Sequence, residues 1–333
     1  MTDAIVVAGL VREFKGGIRA VDGIDLRVGS GEVYGFLGPN GAGKSTTVRM
    51  LTTLLRPTGG TATVAGFDVV TDAASVRRSI GVALQDAAID PFMTGRELLR
   101  LQAVLYAIPR HDGDARAQEL LERVGLTEAA DRRVGTYSGG MRRRLDLALA
   151  LVHEPVVLFL DEPTTGLDPT SRVAVWEEVR RLNREHGTTV FLTTQYLEEA
   201  DHLAERVGII DGGKIVAEGT PTELKAGVGD PTLMITPADP QRVADATVVL
   251  AQFGPITDGK PGAAAVRLAA GAEGIVQVVR ALDDANIATA SVDLHQPSLD
   301  DVFVIKTGHR LEGHGGGAAA PAAGRPRGRR GRR

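Results

Sequence analysis

The sequence lacks cysteine entirely over its 333 residues, which excludes disulfides and cysteine-ligated metals and fits a reducing compartment. No uninterrupted apolar run approaches the roughly 20 residues that a membrane helix requires, so any work at a membrane needs a partner to hold the chain there. Met1-Thr2-Asp3-Ala4 carries no basic stretch followed by an apolar one, and no signal peptide is expected. A basic surface is missing too. The formal net charge is −4, and six arginines (325, 327, 329, 330, 332 and 333) place +6 on the last nine residues, which leaves about −10 on the rest. An acidic body argues against nucleic acid as a partner. Apart from Glu312 and His314 the chain from 312 onward is glycine, alanine, proline and arginine, with no Phe, Tyr, Trp or β-branched residue, so residues 312–333 are expected to be disordered. That tail reads as a solvated terminus or as a contact for anionic lipid, at roughly 1 kcal/mol per residue near the surface. The remainder, 43% hydrophobic and 24% charged, has an ordinary globular composition, and its length predicts two domains.

What is present is organised around Gly38-Pro39-Asn40-Gly41-Ala42-Gly43-Lys44-Ser45-Thr46, which fits G-x-x-x-x-G-K-[ST]. A short apolar segment, Glu32 to Leu37, precedes it with strand composition, and Thr46 to Leu55 follows with helix-like spacing of Val48, Met50, Leu51, Leu54 and Leu55. Strand, glycine loop and helix form the arrangement that cradles phosphates: loop N–H groups turn inward and the helix N-terminus adds positive potential. Lys44 is placed to reach the β- and γ-phosphates and the Ser45 hydroxyl to bind Mg²⁺.

Along the chain, Ala4 to Val7, Val11 to Phe14 and Val21 to Val28 read as apolar runs. The last of these alternates at Ile24, Leu26 and Val28 like a half-buried antiparallel strand. Strands are expected at Thr61–Gly66 and Ile80–Gln85. From Gln85 to about His153 the pattern turns helical: Thr94 caps Gly95–Leu105 with Glu97 at the third position, and Asp114–Val124 follows. Ser138 then caps a largely buried helix through Leu151. Val156–Leu160 is a run of five apolar residues closed by two carboxylates, as in a central parallel strand buried on both faces. A helix over about Ser171–Glu185, a strand over Thr188–Thr194 and a glycine-turned hairpin over Val207–Ala217 complete an α/β core with antiparallel strands at its edge. Past Pro231 the order β-α-β-β-α-β predicts a small ferredoxin-like α+β unit without a catalytic constellation.

Asp161 and Glu162 end the Leu158-Phe159-Leu160 strand as paired acids, suited to hold Mg²⁺ and to deprotonate the water that attacks a γ-phosphate. Together, Gly38–Ser45, Gln85, Ser138-Gly139-Gly140-Met141, Asp161-Glu162 and Asp168 closely resemble the ATP-binding subunit of an ABC transporter over about residues 4–222. The resemblance implies a P-loop NTPase core of ABC ATPase type over 1–222 with a helical subdomain at about 86–153, followed by the α+β accessory domain over 223–311. It implies that Phe14 stacks on adenine and that Gln85 contacts Mg²⁺ and the attacking water. It makes Asp161 the metal carboxylate and Glu162 the general base. It also implies a homodimer around two ATP, in which Ser138, Gly139 and Gly140 grip the γ-phosphate held by the partner and Asp168 bridges the two copies. A separate transmembrane permease would then keep the chain at the cytoplasmic face of the membrane.

Two departures stand out. The signature reads Tyr-Ser-Gly-Gly-Met where many relatives have Leu and Gln at its ends, and Gln195 takes the place of the usual histidine. Glutamine can donate a hydrogen bond to the γ-phosphate but cannot become cationic, so a positioning role is expected for it beside Glu162. Within the family, Gly35–Thr47, Thr193–Asp201 and the C-terminal Pro297–Phe303 run resemble the daunorubicin-resistance type of drug-exporter ATPase. The resemblance disfavours the alternative of a non-transport relative. Ribosome-associated members carry two cassettes per chain, and repair-associated members insert a long coiled coil ahead of the signature. The chain has one cassette and no sustained heptads.

Overall fold

In the computed structural model of the protein, residues 2–84, 89–257, 259–268 and 273–309 are described. The expectations for Gln85 and for the tail from 312 onward lie outside the described residues.

The N-terminal apolar runs form one long strand, β1 (Asp3–Phe14), paired antiparallel with β2 (Ile18–Gly29). The pairing register slips between Val7 and Leu10, a bulge that lets two runs that look separate in the sequence share one strand. Val21, Ile24, Leu26 and Val28 of β2 are buried. β3 (Val33–Leu37) leads into the glycine loop and α1 (Lys44–Leu51). This helix stops short of Leu55: Leu54 N–H reaches back to Arg49 O, Thr53 takes φ +64, and Leu54 is turned out to solvent. β4 (Gly59–Val64) and β5 (Phe67–Asp68) join β1 and β2 in a four-stranded antiparallel sheet of order β2-β1-β4-β5.

After α2 (Ala73–Ser79) and β6 (Ile80–Ala83), the helical stretch contains α3 (Gly95–Leu105), α4 (Arg110–Arg123) and α5 (Gly139–Ala150). The Thr94–Glu97 capping box forms in both directions at the start of α3. α4 begins four residues before the Asp114 expectation, with Pro109 at its N-cap. β7 (Val157–Asp161), α6 (Pro169–His186), β8 (Thr189–Thr194), α7 (Leu197–Leu203), β9 (Arg206–Asp211), β10 (Lys214–Gly219) and α8 (Pro221–Ala226) follow. The central sheet has the order β10-β9-β3-β8-β7-β6; all its pairings are parallel except the β9–β10 hairpin at one edge.

Every residue of β3, β7 and β8 is buried, which explains the apolar runs Val157–Leu160 in β7 and Val190–Leu192 in β8. Alternate side chains serve two cores. Leu158, Leu160, Val190 and Leu192 pack against the helices, with Leu99, Leu121, Leu145 and Val179 in the same cluster. Val157, Phe159, Phe191, Tyr34 and Phe36 face the antiparallel sheet and meet Leu10, Ile24 and Val64. Phe191 lies 5.5–5.6 Å from the rings of Tyr34, Phe36 and Phe159, so four of the chain's aromatics gather at the centre of that layer.

The C-terminal part contains β11 (Thr232–Pro237), α9 (Val243–Leu250), β12 (Ile256–Thr257), β13 (Ala264–Arg267), α10 (Glu273–Asp284) and β14 (Thr289–His295). These strands form an antiparallel sheet of order β12-β13-β11-β14 with its own core, in which Leu233, Ile235 and Val266 meet Leu250, Val278 and Leu282. The last helix, α11 (Leu299–Thr307), leaves that core. Its Leu299, Val302 and Phe303 pack with Leu197 and Ala200 of α7 and with Val207 and Ile209 of β9.

Candidate active site

The glycine loop and Gln195 follow, and Asp161 ends, strands that run the same way through the central sheet, at the C-terminal ends where open α/β sheets bind ligands. β8 lies between β3 and β7 and sets Thr193 opposite both Phe36 and Asp161. The site is therefore assembled across three neighbouring strand ends.

The loop admits only glycine at two points. A Cβ on Gly38 would sit 2.3 Å from Ile210 O, and one on Gly43, where φ is +111, 2.3 Å from Ala20 O. Backbone packed that closely behind the loop leaves its other side free to face a ligand, as a phosphate cradle requires. Asn40 and Gly41 at the tip are exposed, while Ala42, Gly43 and Lys44 are buried. Thr46 is half-buried in the first turn of α1.

Lys44 is 4% exposed. Its Nζ donates to Gly38 O at 2.8 Å and Pro39 O at 3.0 Å and lies 3.3 Å from Glu162 Oε1. Burial lowers the lysine pKa, and the Glu162 carboxylate works in the opposite direction by favouring the ammonium. Ser45 Oγ donates to Asp161 Oδ1 at 3.1 Å, and Thr193 Oγ1 donates to the same oxygen. Glu162 takes φ +49, an uncommon conformation for a non-glycine residue. Its N–H donates to Thr193 O and Oγ1, both at 3.1 Å, and Thr165 Oγ1 donates to its Oε2 at 3.1 Å. The structure thus brings Lys44, Ser45, Asp161 and Glu162 together as a buried cation beside two carboxylates and a hydroxyl.

Residues that sequence reasoning passed over hold these groups in place. Thr193 bridges both acids, Thr165 orients the Glu162 carboxylate, and Arg143 donates to the Asp161 and Pro163 carbonyls on either side of Glu162. A threonine pair closing a buried strand was the available signal for Thr193; Arg143 is one of three consecutive arginines, and nothing in the sequence singles it out.

The signature residues lie apart from this group. Ser138 caps α5 by accepting from Met141 N–H at 3.2 Å, and Ser138 and Gly139 are exposed. Gly140 is buried so close to α6 that a Cβ would meet Ser171 Oγ at 2.5 Å. Ser171 is in turn held by Asp168, which caps α6 by accepting from its N–H at 3.0 Å and its hydroxyl at 2.7 Å; these two bonds lower the Asp168 pKa. Asp168 and the signature therefore share one surface. Phe14 ends β1 with 39% of its surface exposed and the Arg12 guanidinium 4.7 Å from its ring centroid, so it is not a core phenylalanine. Gln195 follows Thr194 directly and is half-buried.

Among the described residues no cluster of three or more His, Cys, Asp or Glu could hold a metal alone. The Ser45 hydroxyl beside the Asp161 carboxylate is instead an oxygen set suited to an ion that shares its remaining positions with phosphate and water.

Residues 21–165 match the ABC transporter family. The chain is 50% identical over 315 residues to the daunorubicin/doxorubicin resistance ATP-binding protein of Streptomyces peucetius, covering 92% of this chain and 93% of that protein. It is 45% identical over 313 residues to the doxorubicin resistance ATP-binding protein of Mycobacterium tuberculosis (strain CDC 1551 / Oshkosh), covering 91% and 93%. Among solved structures it resembles a dimeric, post-hydrolysis ATP-binding cassette bound to ADP and Pi. That match has a TM-score of 0.61 and 26% identity, covering 65% of this chain and 98% of the other.

Proposed function

Since the chain belongs to the ABC transporter family as an ATP-binding, ATP-hydrolysing subunit of an exporter, we propose that it drives efflux of a drug or antibiotic-like amphiphile through a separate membrane permease. The observation that carries the chemistry is the convergence of Lys44, Ser45, Asp161 and Glu162 at the strand ends. The likeness to drug-resistance subunits over nine-tenths of their length supports the substrate class.

In this reading the loop 38–46 wraps the triphosphate with its N–H groups, Lys44 exchanges Glu162 and the loop carbonyls for the β- and γ-phosphate oxygens, and Phe14 stacks on adenine. Ser45 and Asp161, with Gln85, would hold Mg²⁺, which would supply positive charge to offset that of the triphosphate. Glu162 takes a proton from the attacking water, whose oxygen bonds the γ-phosphorus as the bond to the β–γ bridging oxygen breaks, giving ADP and phosphate. Its positive φ, the bonds its N–H donates to Thr193 and the bond its carboxylate accepts from Thr165 fix the direction in which that carboxylate points. Gln195 positions the γ-phosphate by donating a hydrogen bond.

Two copies bury two ATP. A capped helix N-terminus attracts anions, and Ser138 and Gly139 at the start of α5 are exposed to solvent. A second copy is the natural source of the phosphate they bind, with Asp168 alongside. Hydrolysis removes the shared γ-phosphate and releases the pair. We place the subunit at the cytoplasmic face of the membrane, held there by the permease; among the described residues no helix is long and apolar enough to cross a membrane by itself. The division into residues 1–222 (with the helical subdomain 86–153) and 223–311 belongs to the same proposal; α11 packing on α7 joins the two parts. Charge alone supports lipid contact by the tail.

The test is transport by inverted membrane vesicles containing the chain and its permease. ATP-driven uptake of an anthracycline-like amphiphile that Lys44→Ala abolishes is expected; uptake independent of ATP, or equal in the variant, would contradict the proposal.

A further inference from the structure

The signature helix α5 carries a second group that reaches the catalytic strand ends. Arg143, three residues beyond Gly140, directs its guanidinium inward and has only 12% of its side chain exposed. Nη1 donates to Leu84 O at 2.7 Å and to Asp146 Oδ2 at 2.9 Å; Nε donates to Pro163 O at 2.9 Å; Nη2 donates to Asp161 O at 3.0 Å. The three carbonyls belong to three different points of the machinery. Leu84 directly precedes Gln85, while Asp161 and Pro163 flank Glu162. One rigid, planar guanidinium donates to all three carbonyls at once. Asp146, one turn further along α5 and equally enclosed, holds the guanidinium in that orientation.

We infer that Arg143 is a positioning residue that couples the two ATP sites of the dimer, by locking the signature helix to the backbone on either side of Glu162 and to the residue before Gln85. The inference rests on the reading above, in which Ser138–Gly140 touch the partner's nucleotide while Glu162 acts on this chain's own. A helix moves as a rigid rod over its 12 residues. A shift of its N-terminus as it closes on a γ-phosphate is therefore delivered through Arg143 to the carboxylate that works on the other γ-phosphate. Such coupling is reciprocal by linkage: nucleotide at either site biases the other. The Lys44 contacts do not involve Arg143, so nucleotide affinity and catalytic positioning separate cleanly.

The test compares the full chain with Arg143→Lys, Arg143→Ala and Glu162→Gln, measuring fluorescent-ATP affinity, kcat, KM and the Hill coefficient of MgATP hydrolysis. Lysine keeps the charge but cannot span three carbonyls. Arg143→Lys should bind nucleotide within about threefold of the parent yet lose roughly 10- to 100-fold in kcat, the scale of a misplaced reacting group. Its Hill coefficient should fall toward that of independent sites. Arg143→Ala should behave the same way if it folds; if it does not, the lysine variant decides. A lysine variant with unchanged kcat and Hill coefficient overturns the inference. So does one whose kcat falls only in step with nucleotide affinity, since that marks a general packing role. Glu162→Gln separates the premises: if it leaves hydrolysis intact, the reading of the site fails, whereas if it abolishes hydrolysis and Arg143→Lys changes nothing, only the coupling fails.

Discussion

Replacing Glu162 by glutamine keeps the size and the hydrogen-bonding oxygen of the side chain but removes both its basicity and its charge, and the structure predicts opposite effects on turnover and on binding. Loss of a positioned general base is worth about 10²- to 10⁴-fold, or roughly 3–5 kcal/mol in the barrier. Binding moves the other way because Lys44 sits 3.3 Å from the Glu162 carboxylate and must leave it to reach phosphate. Gross attraction at that distance is roughly 5 kcal/mol at an effective dielectric of about 20. A buried hydrogen bond to a charged group nets only about 1.5–3 kcal/mol, and the glutamine retains about 1 kcal/mol of it. The ammonium is therefore released about 1 kcal/mol more readily, which corresponds to about fivefold tighter ATP. Steady-state phosphate release and equilibrium titration with a fluorescent ATP analogue read the two quantities separately. Hydrolysis within about threefold of the parent refutes the base assignment; affinity that drops along with turnover refutes the competition between Glu162 and nucleotide for Lys44.

The remaining predictions address the cradle, the core and one titrating group. Lys44→Ala should weaken ATP binding by at least about tenfold, on the scale of a lost charge-assisted bond; retained tight binding in the same titration would count against the cradle. Gly43→Ala forces a Cβ into Ala20 O at a φ of +111, so thermal unfolding should show a loss of at least about 1–3 kcal/mol and ATP binding should fail in parallel. Phe191→Ala empties the centre of the aromatic layer and should cost about 3–5 kcal/mol by denaturant unfolding. Burial raises the Asp146 carboxyl to about 6 from an ordinary 3.8, overriding the Arg143 pair. A folded-state pKa above the unfolded one means that the folded protein binds the extra proton between those values, so this group's contribution to stability falls as pH rises from about 4 to about 6. Asp146→Asn removes that contribution, and its stability relative to the parent should improve by about 3 kcal/mol between pH 4 and pH 7; a pH-independent difference would contradict the shift.

Much of this site is legible in the sequence because its chemistry is local. A phosphate loop needs nine contiguous residues, and a buried central strand ending in two acids needs seven, so both stand out without knowledge of the fold. The capping boxes at Thr94 and the cap at Ser138 were legible for the same reason. Four short helices, α2, α7, α8 and α11, were not, since six to nine residues give too little periodicity and their stability comes from packing. Nor were Thr193, Thr165 and Arg143: their roles depend on strand order, which brings β8 between β3 and β7 and lays α5 over the strand ends. Leu299, Val302 and Phe303 could be recognised as a motif but not placed, because their partners on α7 and β9 lie about 90 or more residues upstream.

The central claim, that ATP is held between two copies of this chain, is tested most directly by the mass in solution of the full-length Glu162→Gln protein with and without saturating MgATP, measured by light scattering after size-exclusion chromatography. The account predicts a monomer without nucleotide and a doubling of mass with MgATP, abolished by adding Lys44→Ala. A single-copy mass at saturating MgATP, both alone and in complex with the permease, would contradict it.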